Sequence, residues 1–277
     1  MPTLSAFADE ISPELTEQLD VLAACGITHV DLRSVWKTNV MDLTDDQLRQ
    51  IKKMMDDRGV KLAAVGSPIG KSTIDKPASY ELDRVKRAAD IAQSFGATYI
   101  RVFSFYAPEG KSIADYGKEV LNRLAGWVRW VQDEKRPVVL THENEEKIYG
   151  DIPERCEQIM RKFYGRQFVN CYDPANWVHI GLTDVYKNCW LPMRKYTKFF
   201  HLKDYKIGKH VVPCGQGDAD VGRTLADAYK DGFDGFMTLE PHLSTWGQFA
   251  GFTGPDLFKK AVQAVRDLCQ ANGIPLN

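Results

Sequence analysis

The sequence predicts a (β/α)8 barrel, and three observations carry that prediction. Short apolar, β-branched runs recur along the 277 residues, each followed by a stretch of helix length with amphipathic spacing. Eight such units follow one another at roughly 30–40 residues, the arithmetic of such a barrel. No linker or low-complexity segment interrupts them, so one domain over residues 1–277 is expected. The alternative, a doubly wound sheet, ordinarily opens with a Gly-rich first turn, and none follows the first run, Leu4–Ala8.

After Leu4–Ala8, Ser12-Pro13-Glu14 offers an N-cap and a first-turn proline to a helix running to Cys25. His29–Val35 is the second strand. Thr44 and Gln47 form a capping box for a helix to about Arg58. Lys61–Val65 is the third strand, followed by a helix from about Ser79 to Phe95 with Gly96 as its stop. Thr98–Ser104 is the fourth, with a helix over Ile113–Asp133. Val138–Asn144 is the fifth; Asp151 and Glu154 then read as an N-cap and its capping-box partner. Phe168–Asp173, Phe199–Asp204 and Gly235–His242 complete the strands, and a last helix covers Asp256–Gln270.

Composition excludes several function classes. A net charge of −1 gives no bulk attraction to nucleic acid or to an anionic membrane, so neither partner is expected. No apolar run nears the ~18 residues of a membrane span. The N-terminal segment lacks the basic and apolar regions of a signal peptide. The six cysteines are scattered without a Cys-x-x-Cys pair, as in a reduced cytoplasmic protein. A homo-oligomer is compatible with all of this.

The stretch Val138–Asn144 ends in Glu143, and alternation puts Val139, Thr141 and Glu143 on one face and Leu140 and His142 on the other. A carboxylate closing a buried strand is costly unless a cation meets it. Asp173, His201 and Glu240 close the next three strands, at the end of a barrel where chemistry is done. Three carboxylates and an imidazole suit Mn2+, Mg2+ or Co2+, with Zn2+ as a further alternative. Without an ion the carboxylates would raise one another's pKa. The opposing reading is four unrelated polar strand ends.

Leu140–Cys156, Tyr172-Asp-Pro-Ala-Asn176, Phe200-His-Leu-Lys-Asp204 and Thr238-Leu-Glu-Pro-His242 resemble the metal-ligand segments of the sugar isomerase/epimerase family with the xylose-isomerase-like barrel, within the AP endonuclease family 2 superfamily. Phe7–Ser12 and Ser67–Lys71 also resemble that family. The resemblance implies that Glu143, Asp173, His201 and Glu240 bind one divalent metal. It further implies that Glu143 and Glu240 form the acid/base pair acting on a small ketose or keto-polyol. Bound through carbonyl and hydroxyl oxygens, such a compound becomes acidic at the adjacent carbon because the cation stabilises the developing enediolate. One departure is visible: well-described ketose 3-epimerases of the family resemble Asp-x-x-His at the sixth strand, where this chain has Asp173-Pro-Ala-Asn176. Asn176 can bond a hydroxyl but does not titrate near neutrality.

Other candidates are substrate contacts weighed against plainer roles. Lys203 shares a strand face with His201, Arg33 shares one with Asp31, Lys71 follows a Pro-Gly loop, and His242 lies two residues past Glu240. For each the plainer role is a salt bridge or structural contact. His142 reads as a core histidine. Gly215-Gln-Gly-Asp218 reads as a loop over the barrel mouth, with Gln216 a weak candidate for the site. Phe7, Trp36, Phe103, Tyr106, Trp177 and Trp246 fall near strand ends, where rings can stack on a sugar. The leading function is thus a metal-dependent isomerase or epimerase. A dehydratase on the same site is the alternative. Behind them stand an abasic-site endonuclease, whose extra His and Glu ligands the six histidines do not convincingly fill, and a non-catalytic sugar-binding barrel.

Overall fold

A computed structural model of the chain describes residues 1–244 and 252–277. The β-branched and aromatic runs form parallel strands β1 (Thr3–Ala6), β2 (His29–Leu32), β3 (Lys61–Ile69), β4 (Tyr99–Val102), β5 (Val139–Glu143), β6 (Phe168–Tyr172), β7 (Thr197–Leu202) and β8 (Phe236–Leu239). They pair in the order β1-β8-β7-β6-β5-β4-β3-β2. The barrel is nearly closed: among the described residues no ladder joins β1 to β2. Around it lie α1 (Leu15–Ala24), α2 (Asp45–Asp56), α3 (Ala78–Phe95), α4 (Gly117–Asp133), α5 (Pro153–Phe163), α6 (Pro174–His179), α7 (Val221–Lys230) and α8 (Pro255–Ala271). None of these helices is long and apolar enough to cross a membrane.

The apolar faces of helices and strands make one cluster between the barrel and its helical ring. A second, smaller cluster of Ala64, Cys171 and Phe199, flanked by Tyr99 and Phe236, packs apart from it. Strand parity places it inside the barrel, where Tyr99 meets Phe199 edge-on at 5.4 Å. These side chains plug the lower barrel, leaving the polar residues of the same parity for the C-terminal end. His142 has the opposite parity and points outward, its Nε2 3.0 Å from Ser104 Oγ. Burial pushes it down to about 4, so it sits neutral in the wall. All six cysteines are buried and free.

The Thr44 box forms in full: Gln47 N donates to Thr44 Oγ1 at 3.2 Å and Thr44 N to Gln47 Oε1 at 2.9 Å. Gly96 closes α3 at φ 71°. Two other caps differ from expectation. Ser12 does not cap α1; its Oγ accepts Glu14 N at 3.1 Å in a turn ahead of the helix, while Gln18 Nε2 holds the Ser12 carbonyl at 2.8 Å. Asp151 does not cap α5, because it pairs with Arg155, whose Nε also holds the Tyr149 carbonyl. Pro153 at the first turn starts that helix instead.

Strand limits shift for related reasons. β1 stops at Ala6, and Ala8–Glu10 turns into a 3-10 helix. β2 stops at Leu32, because Ser34–Val35 pairs antiparallel with Thr38–Asn39 through Trp36 and Lys37, at φ 53° and 59°. Such a two-residue turn matches the twist of a hairpin but not of a barrel strand. β6 yields Asp173 to the start of α6. Trp246 lies outside the described residues. Loss of the Thr44 hydroxyl in Thr44→Ala is expected to cost about 1 kcal/mol, read as a lower urea midpoint with unchanged slope.

Candidate metal centre

Glu143 closes β5, Asp173 follows β6, His201 lies in β7 and Glu240 follows β8. One possible ligand atom from each lies within 4.8 Å of the others, and all four residues are buried. Asp173 shows how local folding sets this up. Its Oδ1 caps α6 by accepting Asn176 N at 3.0 Å, which leaves Oδ2 for the site. Asn144 locks the position: its Nδ2 donates to the Asp173 carbonyl at 2.8 Å and its Oδ1 accepts Asp173 N at 3.0 Å. Adjacent strand ends β5 and β6 therefore hold Glu143 and Asp173 in fixed register.

His201 Nδ1 lies 3.0 Å from Glu143 Oε1 and 3.5 Å from Glu240 Oε2. Phe7 and Phe199 meet its ring edge-on at 5.0 and 5.8 Å and set its plane. Glu143 Oε2 accepts Arg101 Nη1 at 3.2 Å, and Glu240 Oε1 accepts Arg33 Nη1 at 2.9 Å. Burial alone would raise both glutamates, but His201 and Arg101 hold Glu143 below the ordinary carboxylate range. Lys203 and His242 do the same for Glu240. Asp173 goes the other way: burial raises it, with Lys203 opposing.

Asp173 Oδ2, His201 Nδ1 and Glu240 Oε2 are buried without a hydrogen-bond partner. Lys203 Nζ stands 2.9 Å from Asp173 Oδ2, close enough for an ion pair but not aligned as a hydrogen bond. Convergent, orphaned oxygen and nitrogen atoms of this donor set fit a divalent cation.

The other predicted site residues divide. Lys203, Arg33 and His242 gather around the cluster: Lys203 lies 3.5 Å and His242 Nε2 3.2 Å from Glu240, and Arg33 also bonds Asp9 at 2.7 Å. His242 is lifted to about 9; burial opposes the rise and Glu10, 3.1 Å away, drives it. Lys71 sits further along the rim, pairing with Glu145 at 2.8 Å over the Phe103 ring. Asn176 turns its Nδ2 onto the Asn144 carbonyl at 2.9 Å, tightening the Asp173 lock.

Three residues at the site were not read as site residues in the sequence, Arg101, Asp31 and Glu10, and Phe7 was read only as a ring near a strand end. Arg33 and Arg101 stand 4.5 and 4.8 Å from the Phe7 ring centroid. Arg101 and Asp31 did leave a signal, being charged residues inside apolar strands at the parity of the ligands.

Beyond β7, the Gly215–Ala219 loop is anchored by Asp204. This carboxylate accepts Gly215 N and Gly217 N at 2.9 Å and Ala219 N at 3.2 Å. A Cβ on Gly217 would stand 2.0 Å from Asp204 Oδ1, so only glycine fits. Gln216 is exposed at the loop tip.

The family described as xylose isomerase-like TIM barrel matches residues 19–268, and the chain belongs to it. No curated protein matches the chain in sequence. Solved structures share the fold at low identity. A xylose isomerase-like TIM barrel protein from Mycobacterium smegmatis in complex with magnesium is 14% identical, with 98% of this chain and 97% of that one covered and a TM-score of 0.76. A D-tagatose 3-epimerase-like protein is 12% identical, with 98% of each chain covered and a TM-score of 0.78. The probable 3-DHS dehydratase AsbF from Bacillus anthracis is 14% identical, covering 96% of this chain and 99% of its own, with a TM-score of 0.70.

Asp204→Ala leaves several backbone donors without their acceptor and is expected to lower stability by about 3 kcal/mol. Gly217→Ala is expected to open the same loop, read as faster proteolytic cleavage between Tyr205 and Ala219 than in wild type.

Proposed function

We propose that the protein is a divalent-metal-dependent isomerase or epimerase of a small ketose or keto-polyol. The observation that carries the reading is the buried convergence of Glu143, Asp173, His201 and Glu240 at neighbouring strand ends. These four residues would hold one ion, Mn2+ in the first instance, with Mg2+, Co2+ or Zn2+ as alternatives. When bound, such a cation supplies Lewis-acid polarisation of a carbonyl and an adjacent hydroxyl.

Glu143 and Glu240 are the proposed acid/base pair. Both are held ionised by cationic neighbours, so either can accept a proton from the carbon beside the carbonyl. Return of a proton to the opposite face of that carbon gives epimerisation; return to the neighbouring carbon gives isomerisation. Asp173 and His201 serve mainly as ligands. Lys203 brings an ammonium to within 3.5 Å of Glu240 and can neutralise charge developing on a substrate oxygen. His242 and Lys71 are proposed to bind substrate hydroxyls, Arg33 to orient Glu240, and Asn176 to contact substrate beside its hold on Asn144.

A dehydratase reading draws on the same Lys203 ammonium, which could protonate a departing hydroxyl after the same first proton abstraction. The fold of the probable 3-DHS dehydratase accommodates it. The two readings part at the product, which retains or loses the elements of water.

Wild-type protein loaded with Mn2+ and incubated in deuterated water with a ketose and keto-polyol panel is expected to return substrate or isomer carrying deuterium. Glu143→Gln and Glu240→Gln are each expected to slow that exchange by about 10²–10⁴-fold. Exchange undiminished in both variants would contradict the assignment. Saturating Mn2+ is also expected to raise the unfolding temperature, and Asp173→Asn to shrink the rise.

A further inference from the structure

Asp31 is a buried carboxylate that the proposed chemistry does not use. It lies in β2 where the register against β3 shifts between Val30 and Asp31, and such an irregularity re-aims a side chain. The residue is 2% exposed. One oxygen, Oδ1, accepts Ser5 Oγ from β1 at 2.6 Å and Thr238 Oγ1 from β8 at 3.0 Å. Asp31 thus bridges the seam where, among the described residues, no ladder joins β1 to β2. Its other oxygen, Oδ2, is buried without a hydrogen-bond partner and faces His201 Nε2 at 4.0 Å. That span exceeds a hydrogen bond and leaves the two groups as an ion-pair contact at its outer limit.

His201 Nδ1 points at Glu143 and Glu240, on the side of the four-residue cluster. An imidazole that ligates through Nδ1 must give up the proton there and carry its remaining proton on Nε2. Asp31 Oδ2 is the free acceptor on that side. A ligating histidine is oriented and made more basic by a carboxylate on its far nitrogen.

We propose that Asp31 is the positioning residue for His201, accepting Nε2–H so that Nδ1 is presented to the cation as a lone pair. The inference rests on the cation-site reading and adds a fifth residue to it. Ser5 and Thr238 hold Oδ1 and so aim Oδ2 at the ring. The unjoined seam thereby gains a polar clasp that also sets the ligand's tautomer.

Mn2+ affinity and imidazole NMR together test it on the full-length chain. In Mg2+-saturated wild type, His201 is expected to carry its proton on Nε2, with a slowly exchanging, downfield N–H signal. A proton on Nδ1 instead would overturn the inference without any mutation. Asp31→Asn keeps an oxygen for Ser5 and Thr238 and sets an amide against Nε2–H. It is expected to weaken Mn2+ binding by about 10–100-fold and to move the Nε2–H signal. Asp31→Leu removes the acceptor in either orientation and is expected to do the same. Wild-type affinity and an unmoved signal in either folded variant would overturn the role of Asp31. A wild-type protein that binds no Mn2+ would instead overturn the cation site itself.

Discussion

Buried like charge is the constraint on which the mouth of this barrel depends. Glu143, Asp173 and Glu240 converge with Glu10 and Asp31 nearby, and each is at most 4% exposed. Carboxylates this close cannot all stay ionised without cations among them. Arg33, Arg101, Lys203 and His242 supply part of that charge, each from a different strand end or following loop. Such networks contribute little net stability, because desolvation offsets much of the attraction. Their placement around orphaned ligand atoms is better explained by a function for those atoms.

The scaffold answers that constraint with local devices of ordinary kind. Rings of Tyr99, Phe199 and Phe236 fill the lower barrel, and the charged side chains of the site lie toward the C-terminal end. Asp173 divides its oxygens between a helix cap and the site, and Asn144 ties that cap to the strand carrying Glu143. Asp204 pins the glycine loop that follows β7. The Asp173 and Asp204 devices each give backbone groups a side-chain partner.

Much of this was legible in the sequence. The eight apolar runs and the closing Glu143, Asp173, His201 and Glu240 follow from strand period and barrel arithmetic. The capping box of Thr44 is purely local and was readable as such. Ser12 and Asp151 misled because a cap residue can serve a preceding turn or an ion pair equally well, and only tertiary contacts decide. Several strand ends ran long because β-branched residues continue past the point where the chain leaves the ladder, as at Ser34–Val35, whereas β3 continues past the expected Val65 to Ile69. Asp31 and Arg101 share the parity of the ligands, but that parity names no partner, and their partners come from other strands. Asn176 showed its chemistry but not its direction, since the Asn144 carbonyl that takes its amide comes from another strand.

Anomalous diffraction from Mn2+-soaked crystals tests the central claim most directly. The account predicts one strong peak bonded at about 2.0–2.3 Å to Glu143, Asp173, His201 and Glu240. No peak there, with the Lys203 ammonium still between Asp173 and Glu240, would contradict it.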